Sequence, residues 1–200
     1  LVLVKVADEV IKLPLTYRNH EFQASLPLKK TENELTIEVM VQDWHGPWTS
    51  YRQKILNKEN KNRPETIKLL PDFDGYQNPA EAESKLFSLT NDLRTKREKK
   101  PLILHPQLSQ AARQHSKRLA AGRISHNLPK HGSLTQRLRA ASLYAPRSSE
   151  NLVVHRSLIG AFDNLVSSPS HYYNLIDPQM KFTGIGVYLS PGRQGEKWLY

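Results

Sequence analysis

From Leu35 to Gln42 apolar and polar positions alternate, with Leu35, Ile37, Val39 and Val41 set between Thr36, Glu38, Met40 and Gln42. A period of two sends successive side chains to opposite faces, so this run predicts a strand with one buried and one polar face. Phe22, Ala24 and Leu26 repeat the pattern more weakly, and residues 29–33 separate the two runs as a turn. LVLVKV, EVIKLPLTY and TSYRQKIL add further short β-like runs. Close spacing and frequent turn signals predict a small antiparallel, β-sandwich-like segment over residues 1–70.

Beyond Pro79 the period becomes helical. Asn78-Pro79 supplies a start, and Leu86, Leu89 and Leu93 form one stripe with Phe87 beside it. A second helix opens at His105-Pro106, carries Leu108, Ala111, Ala112, His115 and Leu119 on one face, and stops near Gly122. A shorter helix covers residues 134–141, SENLVVH reads as a strand, and SLIGAFDNLV reads as another helix. Pro169 opens one more short helix, which carries His171, and FTGIGVYL with EKWLY predicts a terminal hairpin around Pro191-Gly192. The fold class is therefore α+β, with a β-rich segment at 1–70, a linker at 71–79 and a helix-rich domain at 80–200. Asp72, Asp74 and Gly75 lack the remaining ligand spacing of a calcium loop and read as a plain turn.

Composition narrows the classes. The chain is 38% hydrophobic and 24% charged, and no stretch approaches the roughly 20 apolar residues that span a bilayer. The opening LVLVKV has no basic run before it and reads as a strand rather than a signal peptide. With no cysteine, disulfides, thiol catalysis and thiolate metal sites are excluded. The net charge of +10 lies entirely in residues 81–200, since residues 1–80 are neutral. Such a balance attracts polyanions, but the basic residues are scattered over the polar faces of the predicted helices and read as a solvated surface. Neither a basic–aromatic stripe nor a recognised motif supports a specific nucleic-acid partner.

Candidate chemistry is sparse when residues are taken singly. His115 lies on an apolar helix face and reads as structural, and His105 and His155 read as ordinary surface positions. Ser168 and Ser170 lie near His171 but lack the context of a nucleophile elbow. Three segments stand out: Ser125-His126 in a loop, Ser149-Glu150-Asn151-Leu152, and Ser167-Ser168-Pro169-Ser170-His171 at a helix start.

Order and context add to this. The succession LFSLTNDLR, PLILHPQLSQAARQHSKRLA, ISH, LTQRLRAA, SENLVV, SSPSHYYNLIDP and TGIGVYL resembles the bacterial branch of the CAP superfamily over residues 84–200. That superfamily comprises cysteine-rich secretory, antigen 5 and pathogenesis-related 1 proteins, and these segments resemble its SCP-like domain. SENL resembles the family's G-E-N-[IL] motif, and SSPSHYYNLIDP resembles S-P-G-H-x-x-N-I-L-x-P. The resemblance implies an α-β-α sandwich with a cleft in which His126, Glu150 and His171 converge. Where many members carry a Trp and a second cleft Glu, this chain has Leu165 and Ser168, and Ser149 and Ser170 replace glycines. Two imidazoles and a carboxylate imply a three-ligand site for zinc or another divalent cation.

Two functions follow as expectations. One is a secreted or cell-surface binding module whose cleft, lined by His126, Glu150, His171 and Ser168, takes an anionic lipid, a glycan or a cell-wall polymer. The alternative is a metal-dependent peptidase or esterase in which Glu150 acts at the same cleft. EFQASLPLKKTENELTIEV adds a weaker resemblance to bacterial immunoglobulin-like modules.

Overall fold

The computed structural model describes residues 1–18, 21–27, 34–43, 46–56, 78–191 and 197–199. The turn at 29–33, most of the linker with Asp72, Asp74 and Gly75, and the hairpin tip at Gly192 lie outside these residues. The chain runs through strands β1 (Val2–Val6), β2 (Glu9–Leu13), β3 (Thr16–Arg18), β4 (Glu21–Gln23), β5 (Glu34–Asp43) and β6 (Gly46–Leu56). There follow α1 (Pro79–Lys96), β7 (Ile103–Leu104), α2 (Pro106–Ala120), α3 (Leu134–Ala140), α4 (Leu158–Ser167) and α5 (Pro169–Ile176). Three short strands, β8 (Phe182–Thr183), β9 (Leu189–Pro191) and β10 (Lys197–Leu199), end the series. The α+β class expected from periodicity is the class observed.

The first segment is one antiparallel sheet of order β2-β1-β5-β6, beside a separate β3–β4 hairpin. Val2, Val4 and Val6 lie opposite Val39, Ile37 and Leu35, so the alternation of both strands falls in step. Val2, Val4 and Leu35 form a small core, joined by Val6, Leu13, Leu26, Ile37 and Val39. On the other face Leu3 opposes Glu38 and Lys5 opposes Thr36. This is the face expected to be polar and wet, yet Glu38 is fully buried. It packs against the helices.

The helices begin where the local chemistry puts them. Asn78 Oδ1 accepts from the Ala80 amide at 2.9 Å ahead of Pro79, and Ser157 Oγ accepts from the Gly160 amide at 2.9 Å at the head of α4. Ser133 and Gln136 close a capping box on α3. The core between α1, α4 and the final strands gathers Ala82, Leu158 and Val187, with Leu86 and Leu89 of the predicted stripe packed on it.

Two expectations are corrected. SENLVVH forms no strand beyond a single bridge position at His155; side chains hold it, with Asn151 Nδ2 donating to His171 O at 3.0 Å and Asn151 Oδ1 accepting from Asn174 at 2.8 Å. FTGIGVYL is not one continuous arm of a hairpin, because β8 pairs in parallel with β7 and only β9 pairs with β10. Between them the backbone lies directly on α2: a Cβ at Gly186 would stand 2.0 Å from the Arg113 nitrogen.

Two of the basic residues, Arg94 and Arg137, are buried rather than solvated. Arg94 is fully buried and donates to the carbonyls of Lys100, Leu175 and Asp177 at 2.8–3.1 Å. Arg113 makes a bidentate pair with Glu83 at 2.6–3.0 Å.

Candidate functional site

The cleft is built around Glu150. Its Oε1 lies 2.9 Å from His126 Nδ1, and Arg137 donates to its Oε2. Arg137 comes from α3 and is itself held by the carbonyls of His126 at 2.7 Å and Gly132 at 3.1 Å. His115, on the inner face of α2, brings Nε2 to 3.8 Å from Glu150 Oε1. Burial alone would raise the Glu150 carboxyl, but His126, Arg137 and His115 outweigh it and hold it below the usual carboxylate range. An ionised carboxylate only accepts, so His126 Nδ1 carries the proton of this contact and Nε2 is the acceptor of the neutral ring. Burial pushes His115 down to about 4, and it is uncharged at neutral pH.

His126 and Glu150 thus lie side by side in the structure, and sequence reasoning missed two of their companions. His115 was read as structural, because an imidazole on an apolar stripe looks like core. Arg137 was read as part of the solvated charge. Nothing local marks either one as facing Glu150.

His171 and Ser168 lie at the start of α5, beside Glu38. His171 sits in the first turn of α5, where burial lowers it to about 4 against the opposing pull of Glu38. Its Nδ1 is buried and makes no hydrogen bond among the described residues. Ser168 is fully buried and donates to Glu38 Oε1 at 2.9 Å. Glu38 Oε2 accepts the Ser170 amide at 2.8 Å, and Thr49 of β6 donates to Oε1 at 2.9 Å. The N-terminus of α5 is therefore capped by a carboxylate from the sheet, while its own Ser168 makes no capping bond. Burial would raise Glu38, but the bonds from Ser170, Thr49 and Ser168 prevail and lower it. A carboxylate does meet Ser168, though it arrives from another part of the chain.

Further contacts fasten the sheet over the cleft. Lys5 Nζ donates to Val166 O at 2.9 Å and lies 4.3 Å from the centre of the Tyr172 ring. Arg97 donates to Tyr172 Oη at 2.9 Å and pairs with Asp8. At the hairpin end of the sheet Gly46 has φ +103°, and a Cβ there would stand 2.8 Å from His126 Cβ. Between sheet and cleft is a cavity of about 640 Å³. Leu3, Val10, Met40 and Pro47 line it from the sheet, and His126, Glu150, Ser149, Thr135, Tyr173 and Asn174 are among its cleft side.

Among the described residues the donor set does not fit a resident zinc or other divalent ion. Both oxygens of Glu150 are engaged, and a guanidinium lies against them. Among the described residues no three His, Asp or Glu side chains converge as a metal site. No helix of the described residues is long and apolar enough to cross a membrane.

One solved structure above a TM-score of 0.5 shares the fold. An extracellular protein containing an SCP domain from Bacillus anthracis superposes with a TM-score of 0.52 at 22% identity, over 86% of this chain and 64% of its own. The chain therefore spans under two thirds of that protein's length. A cysteine-rich secretory protein from Staphylococcus aureus gives 0.48 at 13% identity, over 94% and 65% of the two chains. An outer surface protein from Borrelia burgdorferi gives 0.46 at 23% identity, over 60% and 88%. No curated protein matches by sequence. The family model for cysteine-rich secretory proteins matches residues 87–200, more than half of the chain, which therefore belongs to the CAP, or cysteine-rich secretory protein, family.

Proposed function

We propose that this chain is an extracytoplasmic binding protein whose ligand, a component of the cell envelope such as a lipid, glycan or wall polymer, occupies the cavity between sheet and cleft. In this reading the β-rich segment at 1–70 and the domain at 80–200, joined by 71–79, act as one binding body. The observation that carries it is the arrangement around Glu150: His126 holds one oxygen and Arg137 the other, so the carboxylate organises the cleft. The extracellular description of the Bacillus anthracis structure, which shares the fold, supports the location.

A metal-dependent hydrolase finds less support, because among the described residues no third ligand joins His126 and Glu150 and His171 does not line the cavity. The test compares binding with turnover. Purified envelope fractions are expected to retain the protein, with retention weakened at high salt where anionic polymers contribute. A panel of peptides and esters is expected to remain unhydrolysed with and without added zinc. Turnover that disappears in the Glu150→Gln variant overturns the reading.

A further inference from the structure

We propose that the cavity is a saccharide site, taking a neutral, polyhydroxylated ligand between an apolar wall given by the sheet and a hydroxyl- and amide-bearing wall given by the cleft. This rests on the binding reading above and names its ligand class. The cavity, about 640 Å³, falls within the roughly 300–1,000 Å³ of small-molecule sites.

The two walls differ in chemistry. On the sheet side Leu3 of β1, Val10 of β2 and Met40 of β5 face the same way and form the apolar part of a wall that also carries Lys12 and Gln42. Opposite them stand Thr135, Ser148, Ser149, Asn127 and Asn174, all uncharged and able to accept or donate. Tyr173, half exposed, adds an aromatic face at the same cavity. A sugar ring presents C–H groups on its faces and hydroxyls around its edge, which matches an apolar wall opposite a polar one.

Other classes fit less well. A phosphate or carboxylate ligand would meet the Glu150 carboxylate with Lys12 as the cation lining the cavity. An acyl chain filling the cavity would lie against the hydroxyls of Thr135, Ser148 and Ser149 without hydrogen-bonding them. A peptide adding as a strand needs a sheet edge, whereas the cavity is lined by side chains from the face of β1, β2 and β5. Glu38 holds the apolar wall in place through its bonds to Ser168 and Ser170, so the site needs both parts of the chain.

The experiment is calorimetric titration of the full chain with neutral oligosaccharides (the N-acetylglucosamine trimer and maltotriose), with a lysophospholipid below its micellar concentration, and with an uncharged hexapeptide. Saccharide binding is expected, weakened at least tenfold by Tyr173→Ala and by the cavity-filling Ser149→Trp, and unchanged by the surface variant Lys117→Ala. Tyr173 is exposed enough that its truncation spares the fold, which a melting curve verifies. Binding of the lipid or peptide without the sugars overturns the saccharide assignment and leaves the binding reading standing. Silence across all three classes overturns both.

Discussion

The Glu38 carboxylate of β5 accepts the backbone amide of Ser170 at 2.8 Å, so a strand residue 132 positions away caps α5. The bond joins the sheet to the helix that carries His171, and Ser168 and Thr49 complete the carboxylate's partners. Glu38→Ala leaves the buried Ser170 amide without its acceptor and takes one partner from the buried Ser168 hydroxyl. The expected loss is about 2–4 kcal/mol in urea unfolding at pH 7. Faster hydrogen exchange at the 170–172 amides should accompany it, and a variant as stable as the parent would remove Glu38 from the docking interface.

Arg137 and Glu150 should be coupled. Arg137→Leu strands a mostly buried carboxylate, for which about 3–5 kcal/mol is the expected cost. Adding Glu150→Gln removes the unpaired charge, so the double variant should recover a large part of that loss. Additive single effects would show that the pair contributes nothing specific.

Stability should fall as the solution is acidified from about pH 6.5 to about pH 4. His115 and His171 are held near 4 in the fold and near 6.5 when unfolded, so within that window the unfolded chain binds protons that the fold refuses. Glu38 and Glu150, lowered in the fold, lose stability in the same direction at the acidic end. Chemical denaturation at half-unit pH steps measures the slope. His171→Gln is expected to flatten it, and an unchanged slope would mean that His171 is protonated in the fold.

Gly46 combines a left-handed backbone with a place against His126 that a Cβ would invade. Gly46→Ala is expected to cost about 1–2 kcal/mol and to shift the imidazole resonances of His126. Unaltered resonances would indicate that the hairpin end does not rest on the cleft.

Local structure was largely readable because it is written in near neighbours. Asn78-Pro79 and Pro169 open their helices, and Leu86 and Leu89 face the core as their spacing required. SENLVVH misled because a short apolar run with β-branched residues looks like a strand, while its place in the fold is secured by side chains of Glu150 and Asn151. His126 and Glu150 were legible only as parts of family motifs. His115 and Arg137 carried no local mark.

The sequence by itself determined the periods, the helix starts, the charge asymmetry and the family of residues 87–200, since each depends on residue types in fixed local order. Only the tertiary structure decided what covers each face. Alternation along β5 shows that Thr36, Glu38 and Met40 point the same way, but not whether water or protein lies there. Burial of that face turned Glu38 from a surface charge into the cap of α5, and Met40 into a wall of the cavity.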